Sequence, residues 1–474
     1  MNGIDLLDIN RGTVTAPAGC GKTHLIAEAI TKAGPSKPIL VLTHTNAGVA
    51  ALRGRLEKAG VPATAYRLST IDGWAMRLVA TFPKRAECDL KILKLNNPRE
   101  DYPNIRKSAA RMLRAGHGLD VISATYSRML VDEYQDCNIP QHAIVYYMAA
   151  AFPTCVLGDP MQAIFDFQEP LANWDSVVCK HFPIAGELST PWRWKNVNEE
   201  AFGQWLLDAR KQLLAGKTID LKTAHASVSW IKTGGKDDHE RRLEACRVKP
   251  PNRDGSVLII GDSKNPQAQR QFASQTPGAT TVESVDLKDL VSFARTFDLK
   301  SRDALGRVVS FAENVMINLG GPTLLRRVET IKAEKNRKAA SALEATAIHF
   351  SENPTYAGVR ELLGAMGEQA GVRNHRPGIL RGCIRALQMA EAQGGPSFEE
   401  AAVTVREQSR ALGRPLPRRA VGSTLLLKGL EADVCVILNA AELNRQNLYV
   451  AMTRGSRRLV VCSNDNVLKP CERK

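Results

Sequence analysis

Eight residues near the start of the chain have the types and spacing needed to bind a polyphosphate. They read Ala16-Pro-Ala-Gly-Cys-Gly-Lys-Thr23. Gly19 and Gly21 allow the backbone to turn its N–H groups toward phosphate oxygens. Lys22 can reach the β and γ phosphates, and the Thr23 hydroxyl can bind Mg²⁺. The alternative is an ordinary glycine-rich turn, since the simplest form of this motif begins with glycine where this chain has alanine. The residues expected to bind nucleotide are Ala16, Pro17, Ala18, Gly19, Cys20, Gly21, Lys22 and Thr23.

A pair of carboxylates occurs later, in the run Val131-Asp-Glu-Tyr-Gln-Asp136. The apolar residues 129–131 predict a buried strand, which places Asp132 and Glu133 at its carboxyl end, where ligands bind in open α/β sheets. Asp132 would hold Mg²⁺, and Glu133 would orient and deprotonate an attacking water. Acidic pairs after a strand are often only solvated edges. The glycine-rich run upstream favours nucleotide hydrolysis.

Strand-like runs alternate with helical segments, which predicts parallel sheets covered by helices, the α/β class. The predicted strands are 39–42, 129–131, 154–157, 257–260, 434–438 and 459–462. We expect a first α/β domain at 1–188 and a second made of 189–285 and 414–474. Residues 286–413 are rich in Ala, Leu, Arg and Glu, and predict a helical insertion in the second domain. A shorter basic insertion at 82–118 interrupts the first.

The chain has 474 residues, with 64 Lys and Arg against 49 Asp and Glu, a formal net charge of +15. Such an excess favours binding to a polyanion, although a solvated basic surface is the alternative. The 10 cysteines are scattered without Cys-x-x-Cys pairs, which argues against an iron–sulfur or zinc site and for reduced thiols. No stretch reaches the ~18 apolar residues of a membrane span. We therefore expect a cytoplasmic protein without membrane contact.

Six further runs extend the two above into an ordered series that resembles the UvrD/Rep branch of the superfamily 1 DNA helicases. The resemblance spans nearly the whole chain and implies two RecA-like parallel-sheet P-loop domains with helical insertions. The runs are Leu42-Thr-His-Thr-Asn-Ala47 followed by Arg53 and Arg55, Ser69-Thr-Ile-Asp-Gly-Trp74, Leu157-Gly-Asp-Pro-Met-Gln-Ala-Ile-Phe-Asp-Phe167, Trp192-Arg-Trp194, Lys428-Gly-Leu-Glu431 and Asn447-Leu-Tyr-Val-Ala-Met-Thr-Arg454.

The resemblance implies a role for several residues in ATP hydrolysis. Arg193 and Arg454 would act as arginine fingers that neutralise charge on the γ phosphate. Gln162 would sense that phosphate, and Glu431 would contact the ribose. The cofactors implied are ATP and Mg²⁺, and ATP-driven closure of a cleft would produce movement.

The resemblance also implies contacts to single-stranded or partly duplex DNA. The run 42–47, followed by Arg53 and Arg55, resembles the first DNA-contacting segment of the family. Within it, Thr43 and Asn46 would bind phosphate or sugar, which positions the strand without reading its sequence. The aromatic residues expected to stack on bases are Trp74, Phe165 and Phe167. Trp192 and Trp194 are looser candidates that could equally be core residues.

Some positions depart from the family pattern. The family usually has a glutamine before the phosphate-binding run that reads adenine, and residues 1–15 contain none, so the base preference is open. Leu425 and Asp72 replace two usual histidines. Two functions remain: a helicase moving 3′ to 5′ on single strands, or a non-unwinding, DNA-sensing ATPase that regulates a partner nuclease. Compact members of the family branch occur as helicase subunits of anti-phage systems such as Gabija, beside a separate nuclease, and the small size of this chain is compatible with that.

Overall fold

A computed structural model describes residues 3–34, 37–95, 97–165, 169–284, 286–411 and 417–471. Contacts between Cα atoms divide the chain into two units. The first unit combines Met1–Gly234 with Glu431–Lys474, and the second is Gly235–Leu430. The first unit therefore contains both ends of the chain, and each unit is described in turn.

The amino-terminal part of the first unit alternates strands and helices from its first described residues onward. Its strands are β1 (Arg11–Thr15), β2 (Ile39–Thr43), β3 (Tyr66–Thr70), β4 (Arg128–Val131), β5 (Thr154–Gly158), β6 (Ile184–Glu187), β7 (Ile219–Asp220) and β8 (Val228–Lys232). Its helices are α1 (Lys22–Lys32), α2 (Asn46–Lys58), α3 (Ile71–Thr81), α4 (Pro83–Ala86), α5 (Pro98–Arg114), α6 (Leu119–Thr125), α7 (Ile139–Met148), α8 (Cys179–His181), α9 (Trp192–Lys195) and α10 (Glu200–Leu214).

Six of these strands form a parallel sheet in the order β3-β2-β4-β5-β1-β6. Every residue of β2 and β5 is buried. A nearly continuous apolar strand is typical of a parallel sheet with both faces covered, and clusters of buried side chains lie on its two sides. Because all strands run the same way, the residues that follow β1, β2, β4 and β5 meet at one edge.

The second unit begins with α11 and is mostly helical. Its strands are β9 (Val257–Ile260), β10 (Thr280–Thr281), β11 (Met316–Ile317), β12 (Arg373–Asn374) and β13 (Arg419–Gly422). Its helices are α11 (Asp238–Cys246), α12 (Pro266–Gln275), α13 (Lys288–Thr296), α14 (Ala304–Val315), α15 (Gly321–Lys332), α16 (Ala342–Glu352), α17 (Tyr356–Gly367), α18 (Pro377–Glu391), α19 (Phe398–Ala411) and α20 (Thr424–Leu427).

Helices α13–α19 bury a common core within this unit. The strand β13 lies between β10 and β9, and all three run parallel. The short strands β11 and β12 form an antiparallel pair. The described residues of 286–413 are mostly helical, and their assignment as an insertion in the second domain stays a prediction.

The carboxyl-terminal segment completes the first unit. It comprises β14 (Ala432–Ile437), α21 (Arg445–Met452), β15 (Gly455–Ser463) and β16 (Val467–Leu468). The strand β15 pairs in parallel with both β14 and β8, so distant parts of the chain share these strands. The short β16 pairs antiparallel with β7.

The α/β class with parallel sheets is confirmed, and each predicted strand corresponds to an observed one. The domain boundaries drawn from the sequence stay predictions. Short or partly polar strands such as β3, β6 and β8 were not predicted. Over the residues that the structure describes, no helix is both long and apolar enough to span a bilayer.

Candidate nucleotide site and nucleic-acid contacts

The loop between β1 and α1 has the backbone of a phosphate-binding loop. Gly19 and Gly21 have φ values of 73° and 87°, in the left-handed region that favours glycine. Space also requires glycine: a Cβ on Gly19 would lie 2.4 Å from Cζ3 of Trp194, and one on Gly21 would lie 2.9 Å from Cδ1 of Trp192. Helix α9 thus packs directly on the loop. Burial raises the pKa of the Cys20 thiol to about 12, which suits packing and not nucleophilic attack.

Lys22 joins the loop to the acidic pair after β4. Its Nζ lies 2.9 Å from Oδ1 of Asp132 and 2.6 Å from Oε1 of Glu133. Burial alone would lower the pKa of Lys22, but the two carboxylates outweigh it and raise that pKa. Glu133 has a φ of 54°. A left-handed non-glycine residue is strained, and such strain clusters at functional sites.

A buried hydrogen-bond network connects Glu133 to the run after β5. The amide of Gln135 donates to Oε2 of Glu133 at 2.5 Å and accepts from the Asp159 N–H at 3.1 Å. Asp159 in turn accepts from Nε2 of Gln162 at 3.1 Å and pairs with Arg210 at 2.9 Å. Gln162 is thereby linked to the expected base, Glu133, through the side chain and backbone N–H of Asp159 and the side chain of Gln135. Sequence reasoning missed Gln135 and Asp159, although both stand inside runs it had singled out, and Arg210 gave no signal.

Arg193 and Glu431 meet within the first unit. Nη2 of Arg193 lies 2.6 Å from Oε1 of Glu431, and its Nη1 donates to the Thr453 carbonyl at 2.6 Å. Nε of Arg193 is buried and has no hydrogen-bond partner among the described residues. Burial raises the pKa of Glu431, but Arg193 and Arg55 outweigh it and hold that pKa below its usual value. The carboxylate therefore stays ionised and paired.

Arg55 also reaches the nucleotide site. Its Nη1 donates to Oγ1 of Thr23 at 2.7 Å, and its Nη2 lies 3.4 Å from Oε1 of Glu431. The sequence placed Arg55 in a run expected to contact DNA. The structure instead puts it on the hydroxyl expected to bind Mg²⁺, a contact that motif spacing alone does not reveal. Thr23, Arg55, Glu431 and Arg193 thus form a continuous polar chain.

Arg454 lies deeper than Arg193. It is buried, with Nε donating to the Val450 carbonyl at 2.8 Å and Nη2 to Oγ1 of Thr453 at 3.1 Å. Burial, together with the cation of Arg193, lowers the pKa of Arg454 to about 10. Helix α21, which ends just before Arg454, touches the phosphate-binding loop, because the Tyr449 hydroxyl accepts from the Ala18 N–H at 3.2 Å.

The residues fit Mg²⁺ as a partner of bound nucleotide. Thr23 and Asp132 supply one hydroxyl and one carboxylate, the oxygen ligands that Mg²⁺ prefers, and both are bridged to neighbouring cations that a bound ion would replace. The described residues hold no group of three His, Cys, Asp or Glu side chains arranged for a metal. The remaining ligands would come from phosphate and water.

The residues expected to contact DNA differ in exposure. Asn46 begins α2 and is exposed, whereas Thr43 is buried at the end of β2. Phe165 is half-buried, and its ring centroid lies 5.2 Å from that of His44. Phe167 lies outside the described residues. Among the described members of this set, Asn46 is exposed, and Phe165 and the looser candidate Trp192 are partly accessible.

Two of the expected stacking residues have core positions. Trp74 is 5% exposed and packs among Ile71, Leu78 and other buried side chains. Trp194 is fully buried, and its indole N–H donates to the Gly455 carbonyl at 3.1 Å. For Trp194, the core alternative left open by the sequence matches this position. A stacking role for Trp74 gains no support from its burial.

Comparison with known proteins gives one informative match. Residues 89–173 match the family described as UvrD/REP helicase N-terminal domain. No curated protein sequence matches the chain. Among solved structures, the crystal structure of Pif1 helicase from Candida albicans shares 10% identity, with 98% of this chain and 93% of that chain covered and a TM-score of 0.40. That likeness is too slight to carry an argument, whereas the matched segment contains the acidic run at 131–136.

Proposed function

We propose that this chain is a UvrD-like superfamily 1 helicase that couples ATP hydrolysis to 3′ to 5′ movement along single-stranded DNA in the cytoplasm. The direction rests on the family resemblance. The accessible residues Asn46 and Phe165 support a sequence-tolerant grip, with stacking worth roughly 1–3 kcal/mol per base. The net charge of +15 supports binding to a polyanion.

One observation carries the proposal of ATP hydrolysis. Arg193 and Glu431 stand far apart in the sequence, yet with Arg55 they form a chain of contacts that ends on Thr23 of the phosphate-binding loop. An ordinary glycine-rich turn does not require two arginines and a glutamate from distant parts of the sequence beside it. Fixed cations at a γ phosphate are what phosphoryl transfer to water requires.

Each residue has a distinct role in this proposal. Lys22 exchanges its carboxylate partners for phosphate oxygens, which leaves Glu133 able to accept the proton of the attacking water. Thr23 and Asp132 hold Mg²⁺, which neutralises charge on the phosphates when bound. Arg193 and Arg454 stabilise the charge that develops on the γ phosphate, and Gln162 reports its presence through Asp159 and Gln135. Glu431 binds the ribose.

A second function is a non-unwinding ATPase that senses DNA and regulates a partner nuclease in phage defence. Burial of Trp74 favours it, because one of the three aromatic residues expected to grip bases is then unavailable. With fewer stacking residues the protein would bind DNA more weakly. Contact of DNA with Phe165 would still affect Gln162, which belongs to the same run, 157–167. This alternative predicts hydrolysis that responds to DNA without strand separation.

ATP hydrolysis by the purified protein, with and without single-stranded DNA, tests the proposal. We expect strong stimulation by DNA, and loss of at least 100-fold in Lys22→Ala, because that change removes the cation at the phosphates. Lys58→Ala, at the exposed end of α2, is the matched control. Hydrolysis that persists in Lys22→Ala would show that another site is responsible.

Strand displacement separates the two functions. A duplex with a 3′ single-stranded tail should be unwound, and one with a 5′ tail should not. Unwinding from the 5′ tail alone would reverse the proposed direction. DNA-stimulated hydrolysis without displacement of either duplex would favour the sensing ATPase.

A further inference from the structure

The expected base, Glu133, has a strained backbone that the residues after it hold in place. Its φ of 54° lies in the left-handed region, and the chain then enters a short 3₁₀ turn, Tyr134–Asp136. A left-handed residue other than glycine persists only where the surrounding structure holds it there. On one side of the turn, the amide of Gln135 binds the carboxylate of Glu133. On the other side, the side chain of Tyr134 enters the apolar core.

The phenol of Tyr134 is anchored in that core by a hydrogen bond and an aromatic contact. Tyr134 is 1% exposed, and its hydroxyl oxygen lies 2.8 Å from Nδ1 of His142 on α7. Its ring packs edge-on against the buried ring of Phe182, with the ring centroids 5.9 Å apart. The phenol is therefore fixed in position and orientation, and it restrains the backbone next to Glu133.

His142 connects this phenol to a second imidazole. Its Nε2 lies 2.8 Å from Nδ1 of His181 in α8, and the two rings are stacked with their centroids 5.1 Å apart. Burial, together with His181 and the cation of Arg11, lowers the pKa of His142 to about 4. The imidazole is therefore neutral at physiological pH, with one donor and one acceptor nitrogen.

One arrangement of hydrogens satisfies every group in this chain of side chains. The hydroxyl of Tyr134 donates to Nδ1 of His142, and Nε2–H of His142 donates to Nδ1 of His181. His181 is half-buried, so the chain ends near solvent. The reverse arrangement would leave the buried phenol O–H without an acceptor among the described residues, which is costly.

We propose that Tyr134, held by His142 and His181, is a positioning residue for Glu133: the phenol anchors the strained turn so that the carboxylate is aimed at the attacking water. The inference rests on the proposed triphosphate-hydrolysing function. The position of a base affects the chemical step, because a displacement of about 1 Å can cost 10²-fold in rate. Binding of ATP depends mainly on the phosphate-binding loop, which belongs to a different element. The anchor should therefore affect kcat and not KM.

Conservative variants test this inference through steady-state ATP hydrolysis with saturating single-stranded DNA. Tyr134→Phe removes only the hydroxyl, and we expect kcat to fall roughly 5- to 50-fold while KM for ATP stays within about twofold. His142→Asn keeps a polar group near the position of Nδ1 and should retain most of kcat, whereas His142→Phe should match Tyr134→Phe. Tyr147→Phe, on a half-buried phenol of α7, is the control and should leave kcat unchanged.

The double variant Tyr134→Phe with His142→Phe separates positioning from stability. Replacing both partners by apolar groups of similar shape is close to neutral for folding, so the midpoint of urea unfolding should return toward that of the parent protein. The value of kcat should stay low, because the anchor is still missing. Recovery of kcat together with the unfolding midpoint would overturn the inference, because the phenol would then act only through stability.

The outcomes keep this inference separate from the proposed function. Lys22-dependent hydrolysis that the Tyr134 and His142 variants leave unchanged would refute the inference and leave the function standing. Loss of ATP affinity together with kcat in Tyr134→Phe would also overturn the inference, because the phenol would then support the whole nucleotide site. A folded parent protein that hydrolyses no ATP, even with DNA, would refute both.

Discussion

Each unit contains a cluster of charged side chains, and the two clusters are built differently. In the second unit, Arg376 is completely buried and binds Glu283 at 2.7 Å, Asp289 at 2.5 Å and Asn314 at 2.8 Å. In the first unit, Lys22 is 12% exposed, while the side chains of Glu133 and Glu431 are 33% and 40% exposed. Glu133 is also strained, and Arg193 has a buried Nε without a partner among the described residues.

This difference is what we expect between a structural cluster and the proposed nucleotide site. The guanidinium of Arg376 has partners in α13, in α14 and in the segment between β10 and α13, so it stabilises the packing of the helices and has no group left for a ligand. The charged side chains around Lys22 lie near solvent, where a bound ligand could replace their present ion-pair partners. Backbone strain such as that of Glu133 is costly in a folded chain, and it clusters at functional sites.

The largest effect that we expect is on kcat for ATP hydrolysis when Arg193 is replaced, and it tests whether the cluster around Lys22 differs from the cluster around Arg376. Arg193→Ala should lower kcat for DNA-stimulated ATP hydrolysis by roughly 10³-fold or more, as loss of an arginine finger does. Arg193→Lys should rescue little, because an ammonium cannot donate to the Thr453 carbonyl and Glu431 in the same fork geometry. Steady-state kinetics measures kcat and KM separately.

Arg458→Ala is the matched control for this change. Arg458 is exposed on β15 in the same unit and donates to Oγ of Ser229 at 3.2 Å. It should leave kcat within about twofold. If Arg193→Ala hydrolyses ATP at a comparable rate, the polar chain from Thr23 to Arg193 is structural, and the contrast with Arg376 disappears.

Arg376 should show the opposite behaviour. Arg376→Ala leaves the carboxylate of Glu283 buried without its partner, so we expect the second unit to lose about 3–5 kcal/mol of stability. The midpoint of urea unfolding, followed by tryptophan fluorescence and circular dichroism, measures this loss. At temperatures where the variant stays folded, ATP binding should be unchanged, because Arg376 belongs to the other cluster.

An exposed ion pair of the second unit provides the comparison for Arg376. Arg360 binds Glu391 at 2.6 Å and is 30% exposed, so Arg360→Ala should cost less than about 1 kcal/mol. Arg376→Ala combined with Glu283→Gln should recover part of the loss. If Arg376→Ala and Arg360→Ala lose similar amounts of stability, the buried ion pairs of Arg376 do not stabilise the second unit more than an exposed pair does.

The parallel core of the fold was predictable because its strands are short, apolar and followed by turn residues. β2, β4 and β5 have that pattern, and motif order placed the phosphate-binding loop and the acidic pair after the right strands. Strand β6 was missed because its burial is low, and β8 because it is only partly buried. Their pairing depends on distant strands, which a local pattern cannot reveal.

Sequence motifs predicted which residues belong to the candidate site, but they did not predict the tertiary contacts of those residues. Lys22, Asp132 and Glu133 have roles that residue type and strand position suggest, and they do lie together. The reach of Arg55 to Thr23 depends on where α2 packs, and the burial of Trp74 depends on the side of α3 that meets the core. Both are tertiary properties, so an arginine and a tryptophan assigned to DNA by resemblance alone have other environments.

The smallest effect that we expect is on ATP affinity, from the loss of the single hydrogen bond between the Tyr449 hydroxyl and the Ala18 N–H. Tyr449→Phe removes only the hydroxyl and leaves a buried amide without that acceptor. One such bond is worth about 0.5–1.5 kcal/mol, so ATP binding should weaken a few-fold while kcat changes little. Tyr126→Phe, on a half-buried phenol elsewhere in the first unit, is the control. A strong loss of kcat at unchanged affinity would contradict this expectation. It would mean that α21 acts in the chemical step through Arg454 and does not simply hold the loop. The cluster around Lys22 would then include the buried Arg454 as well as the partly exposed Glu133 and Glu431.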